Sequence, residues 1–164
     1  MATLDDVYWK FGFAAEASQL LETQLGSLLF AHLAGEEGLF EAEDPDRAGD
    51  LLDGVNRQTP GRLVKRLGKF GALDRIVDQL AHALKERNRL SHSFFREHNL
   101  RRNSEAGRNI VLADLEQIHT TLLSAYKAVM LLSGVDIDAL VAASDQGGDK
   151  PSASGEIPDV HLPI

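Results

Sequence analysis

The chain has 164 residues and carries 17 Lys and Arg against 25 Asp and Glu, a formal net charge of −8. A hydrophobic content of 43% at this length allows a sizeable core without metals or disulfides, and the absence of cysteine excludes disulfides, thiolate chemistry and cysteine-ligated zinc or iron–sulfur sites. The acidity argues at first sight against a nucleic-acid partner, and the apolar runs are too short to span a bilayer, so a cytoplasmic protein with no membrane association is expected.

No segment shows sustained period-two alternation with β-branched residues, and the sequence predicts an all-α fold. The first helix is expected from about Leu4 to His32. Its apolar positions Phe13, Ala17, Leu20, Leu21, Leu25, Leu28, Leu29 and Leu33 recur at spacings of three and four. The acidic stretch from Glu36 to Asp46 contains the breakers Gly38 and Pro45, and a short helix is expected near Arg47 to Asn56. Thr59-Pro60 then reads as a helix start, with Thr59 as N-cap and Pro60 at the first helical position. That helix runs from Pro60 to Lys69 and ends at Gly71. A long helix is predicted from about Leu73 to His98, a polar loop from Asn99 to Arg108, and another long helix from about Asn109 to Leu132 that Gly134 terminates. Asp136 to Ala143 forms a last short helix. Residues 1–143 are expected to be one domain. Residues 144–164, rich in Gly, Pro, Ser and acids, read as a disordered or surface-draped tail.

The charge is unevenly distributed. Between Arg57 and Arg108 there are 13 basic and 5 acidic residues, a balance of +8, which leaves −16 for the rest of the chain. A basic middle between acidic flanks removes the objection to a polyanion partner and places any such partner in the middle of the chain.

The helix predicted from Leu73 breaks its own apolar rule. At about 100° per residue, Leu73, Ile76, Val77, Leu80 and Leu84 share one stripe, and Phe94 and Phe95 resume it. Between them the stripe carries Arg87 and Ser91, with Asn88 at its edge and His92 about 140° round from Arg87. Burying such groups without partners is costly, so the stripe is expected either to pair them internally or to open onto a cleft or subunit interface.

The segment Glu86-Arg87-Asn88-Arg89-Leu90-Ser91-His92-Ser93-Phe94-Phe95 resembles the Arg-x4–6-His motif of the HEPN superfamily. Asn88 takes the favoured polar position after the Arg. The N-terminal helix and the segment Thr59 to Leu67 are similar to those of small bacterial HEPN-like proteins. The resemblance implies a HEPN-like antiparallel bundle of four to five helices, in which two motif helices meet across a two-fold axis in a homodimer. It also implies a metal-independent endoribonuclease of the toxin or phage-defence kind, with RNA as substrate, no cofactor, and an antitoxin or regulatory protein as a further partner.

The residue types suit that chemistry. Histidine titrates nearest the working pH for proton transfer, and arginine offers phosphate a planar fork of donors that is always charged. His92 is therefore the candidate acid/base and Arg87 the candidate phosphate clamp. Asn88, four residues before His92, and Ser91 are accessory candidates. Arg89, Arg96, Arg101 and Arg102 are candidate RNA or phosphate contacts. A non-catalytic module on the same fold, binding RNA, a nucleotide or a protein, accounts for the same stripe and stays open. Glu116-x-x-His119 is a lone element where di-iron bundles use two, so no metal is expected. His98 reads as a residue at a helix C-terminus, and Tyr8 and Trp9 as residues sealing a core or interface.

Overall fold

A computed structural model describes residues 1–42 and 44–146. The helices are α1 (Leu4–Glu36), α2 (Leu39–Ala42), α3 (Pro45–Asn56), α4 (Pro60–Lys69), α5 (Val77–His92), α6 (Phe94–Glu97), α7 (Glu105–Leu132) and α8 (Ile137–Gln146), with a 3-10 turn at Arg101–Asn103. No strand occurs among the described residues. Of the predicted tail, residues 144–146 belong to α8, and residues 147–164 lie outside the described residues.

Local chemistry sets the helix boundaries. A reciprocal capping box starts α1: Asp6 N–H donates to Thr3 Oγ1 at 3.1 Å, and Thr3 N–H donates to Asp6 Oδ2 at 2.8 Å. Asp44 caps α3 by accepting from Arg47 N–H at 3.0 Å, and Ser104 caps α7 by accepting from Gly107 N–H at 3.1 Å. The helix α4 starts at Pro60 as predicted, but the Thr59 side chain makes no capping hydrogen bond. Gly71 and Gly134 follow α4 and α7 with φ of +68° and +82°, the left-handed conformation that glycine adopts without steric cost.

The long helices α1 and α7 make the most extensive packing in the molecule. A row of Val7, Ala14, Ala17, Leu21, Leu25 and Leu29 on α1 is buried with Val111, Leu115, Ile118, Leu122, Ala125 and Val129 on α7. Their register follows from polar and aromatic contacts: Arg108 reaches Ala2 O, Lys10 pairs with Glu116, Phe13 meets His119, and Gln24 donates to Ser133. Both numbers rise together, so α1 and α7 run parallel. The motif helix α5 runs against both, since Arg89 meets Asp114 while Gln79 meets Ser124, and Phe94 meets Phe11 while Arg87 meets Glu22. The three long elements therefore go up, down and up. The expected antiparallel arrangement describes their succession, whereas the most closely packed pair is parallel.

The predicted helix from Leu73 to His98 is divided. Residues 71–76 form turns, and Leu73 enters the core from them rather than from a helix. At the other end Ser93, with φ −133° and ψ −15°, separates α5 from α6. The chain bends there without losing its ladder, because Ser93 N–H still reaches Arg89 O and Glu97 N–H reaches Ser93 O, each at 3.0 Å. The bend leaves Phe94 buried and Phe95 half-buried against Phe11 and Tyr8.

Candidate active site

The buried row of α5 and α6 is Leu80, Ala83, Leu90 and Phe94. Arg87 falls in the gap of that row, at the spacing of four and three that a core residue would take. Its guanidinium, half-buried, is answered across the bundle. Arg87 Nε donates to Glu22 Oε1 on α1 at 2.5 Å, and the same oxygen accepts from Ser18 Oγ at 3.3 Å. The broken stripe is thus narrower than the sequence suggested. Only Arg87 interrupts it, while Asn88, Ser91 and His92 are exposed.

The second edge of the guanidinium turns outward. Arg87 Nη1 donates to Asn88 Oδ1 at 3.2 Å. Asn88 and His92 lie four residues apart on one exposed face, about 6 Å along the helix axis. The His92 imidazole has no hydrogen-bond or ion-pair partner among the described residues, and neither does the Ser91 hydroxyl. The face therefore offers a free imidazole, an amide, and a guanidinium held from behind by a carboxylate. That set can transfer a proton and bind phosphate.

The neighbouring arginine does something else. Arg89 makes a two-pronged pair with Asp114 on α7, Nη1 to Oδ2 at 2.8 Å and Nη2 to Oδ1 at 2.6 Å, and also reaches Glu86 and Glu97. These hydrogen bonds raise its pKa further and hold the Asp114 carboxyl below the usual aspartate range. The Ser93 hydroxyl, and then Arg89, lower that of Glu97. Arg89 is thus satisfied by the protein itself.

His98, only 2% exposed, completes the network. Its Nε2 lies 2.7 Å from Asp114 Oδ2 and its Nδ1 lies 3.2 Å from Arg101 Nη1. A guanidinium can only donate, so Nδ1 accepts and the Nε2 proton is directed to Asp114. The sequence reads His98 as a residue at a helix C-terminus and does not single out Asp114. The available signal was the row Val111, Asp114, Leu115, Ile118, in which a carboxylate sits on a core-facing stripe. Glu22, next to the buried Leu21 and four residues from Ser18, carried a similar signal.

The remaining candidate cations flank the bend. Arg102 lies over the Phe95 ring, 5.4 Å from its centroid, and donates to Asn99 Oδ1 at 3.4 Å. Arg96 is exposed and has no ion pair among the described residues. Of the four candidate phosphate contacts, Arg89, Arg101 and Arg102 are thus engaged with internal partners, and Arg96 is free. On α7, Glu116 is held by Lys10, and His119 faces the Phe13 ring. No cluster of three or more metal-ligating side chains occurs among the described residues. No family model, curated protein or solved structure matches the chain.

Proposed function

We propose that the chain is a HEPN-like endoribonuclease that cleaves RNA without a metal, of the toxin or phage-defence kind that its motif suggests. The observation that carries this reading is the Arg87–Asn88 hydrogen bond. It brings one edge of a half-buried guanidinium to the exposed face that also bears the unpartnered His92. In the proposed step the RNA 2′-oxygen attacks the adjacent phosphorus and the bond to the 5′-oxygen breaks. His92 accepts the 2′-OH proton, and the 5′-oxygen leaves with a proton supplied by the second imidazole of a two-fold dimer. Arg87 holds the phosphoryl oxygens as negative charge develops there. An apolar face on α1, with Tyr8, Trp9 and Phe13 exposed and Tyr8 against Phe95, borders the end of the motif helix and suits a subunit contact.

A second reading has its own observation. The close Arg87–Glu22 pair already neutralises the guanidinium, as a purely structural tie would. On that reading the fold is a binding module that does not cleave. The test follows RNA integrity in EDTA with wild type, His92→Ala and Arg87→Ala. His92 is exposed and unpartnered, so its removal is expected to leave stability within about 0.5 kcal/mol. Cleavage should nonetheless fall by about 10²-fold or more. Equal cleavage by wild type and His92→Ala refutes the assignment, and a wild type that leaves RNA intact favours the binding module.

A further inference from the structure

A second basic surface lies away from the motif, on the helix before it. Arg57, Arg62, Lys65, Arg66 and Lys69, with Gln58, line a cavity of about 440 Å³ between the end of α3 and the face of α4. No acidic side chain lines it. Arg57 is loosely paired with Asp53 at 3.6 Å, both exposed. The other four cations have no ion pair among the described residues.

These charges are not placed for the benefit of α4. Arg62 and Lys65, Arg66 and Lys69, Arg62 and Arg66, and Lys65 and Lys69 stand three or four residues apart, the spacings at which like charges disfavour a helix. Arg62 lies in the first turn, where the helix dipole opposes a cation and where this helix has no acid. Only Arg66 and Lys69, in the last turn, suit the dipole. A concave row of unanswered cations on an otherwise acidic protein focuses positive potential where an anionic chain can enter.

We propose that this groove binds the sugar–phosphate backbone of single-stranded RNA. The choice of RNA rests on the ribonuclease reading, and the groove names where the strand would be held. From Arg62 to Lys69 the helix rises about 10 Å, enough to meet several successive phosphates. The same basic helix is poorly suited to a membrane surface. Its apolar side chains Leu63 and Leu67 are buried in the bundle core and Val64 packs partly buried against it, which leaves no broad apolar face to enter lipid. The cavity adjoins a second one that shares Gln58 and reaches Glu22, the partner of Arg87. A strand in the groove would therefore run toward the back of the motif.

The test measures anisotropy of a fluorescein-labelled 20-nucleotide oligouridylate with the His92→Ala protein, so that cleavage does not enter. Four phosphate contacts predict a salt slope near −2.8 and about 50-fold weaker binding at 200 mM than at 50 mM KCl. Arg62→Glu/Lys65→Glu/Lys69→Glu should reduce that slope by about 2. A control of equal net charge, Arg47→Glu/Arg75→Glu/Lys85→Glu, reverses exposed cations outside the groove and away from the candidate RNA contacts. The groove variant is expected to lose at least ten times more affinity than the control, with thermal melts confirming that both are folded. Equal losses in the two variants overturn the proposal, as does unchanged RNA binding by the groove variant. So does loss of binding only to phosphatidylserine-containing vesicles. If the groove binds RNA that wild type leaves uncut, the groove stands and the ribonuclease reading falls.

Discussion

Removing the Asp114 carboxylate by Asp114→Ala tests how the end of the motif helix is held. The wild-type group accepts three hydrogen bonds, two from Arg89 and one from His98, at 2.6–2.8 Å. Arg89 keeps Glu86 and Glu97 in the variant, so its charge is not stranded. The buried His98 Nε2–H loses its acceptor, which costs about 1–3 kcal/mol. Losing the two-pronged pair adds to this, discounted because both side chains are about a quarter exposed. The sum is about 3 kcal/mol at neutral pH, or about 6–12 °C in Tm for a chain of this size. Asp114 is ionised more readily in the folded state than in the unfolded state. Its contribution is therefore complete above the usual aspartate value of about 3.9. It is lost as pH falls through the lower folded value, so wild type and variant converge in acid. Urea unfolding followed by far-ultraviolet circular dichroism, repeated from pH 7 to pH 2.5, measures both effects. A difference below about 0.5 kcal/mol at pH 7, or a gap that does not shrink in acid, refutes the reasoning.

Gly107 lies in the first turn of α7, where an added Cβ would overlap the backbone of Arg101. Gly107→Ala should thus cost about 1–3 kcal/mol in urea unfolding, and a neutral result would show that the 3-10 turn gives way freely. A double-mutant cycle of Glu22→Ala and Arg87→Ala should show a coupling of about 1–2 kcal/mol, between exposed and buried ion pairs. Coupling below about 0.3 kcal/mol would show that the pair adds nothing. Trp9 is 74% exposed on the apolar face of α1, and Trp9→Glu should convert a micromolar dimer to monomer in light scattering while the helical circular dichroism is kept and the melting temperature loses its dependence on protein concentration. A monomeric wild type refutes the subunit contact.

The helices were legible where sequence and local chemistry agree. Pro60–Lys69 matches in both bounds, and Gly71 and Gly134 end helices as their conformational freedom suggests. The sequence predicts the start of α5 at Leu73 rather than Val77 because Leu73 and Ile76 continue the apolar period. A turn can deliver Leu73 to the core as well as a helix can. The stripe drawn through Ser91 was one position off, for Leu90 is the buried residue and Ser91 is exposed. The residue Arg87 was visible as an intruder, but its answer was not. Glu22 lies 65 positions away on another helix, and no local pattern pairs them. The same holds for Arg89, His98 and Asp114, which meet only when α5, α6 and α7 pack. The expected shell of phosphate-binding arginines was read from charge alone, and charge does not reveal which cations have internal partners.

The uneven capping of the helices has a consequence for how the molecule breathes. Side chains cap α1, α3 and α7, whereas α4 and α5 begin without a side-chain cap, separated by the turns at 71–76. Opening of a helix starts at unsatisfied ends, so amide exchange should proceed first through the amino-terminal turns of α4 and α5 and last through the paired rows of α1 and α7. The segment from Pro60 to the first turn of α5, which bears the groove, thus shifts most readily, whereas the motif end of α5 is held by Glu22 and Asp114. Its neighbours α1 and α7 supply a rigid frame against which such a shift can be made and reversed.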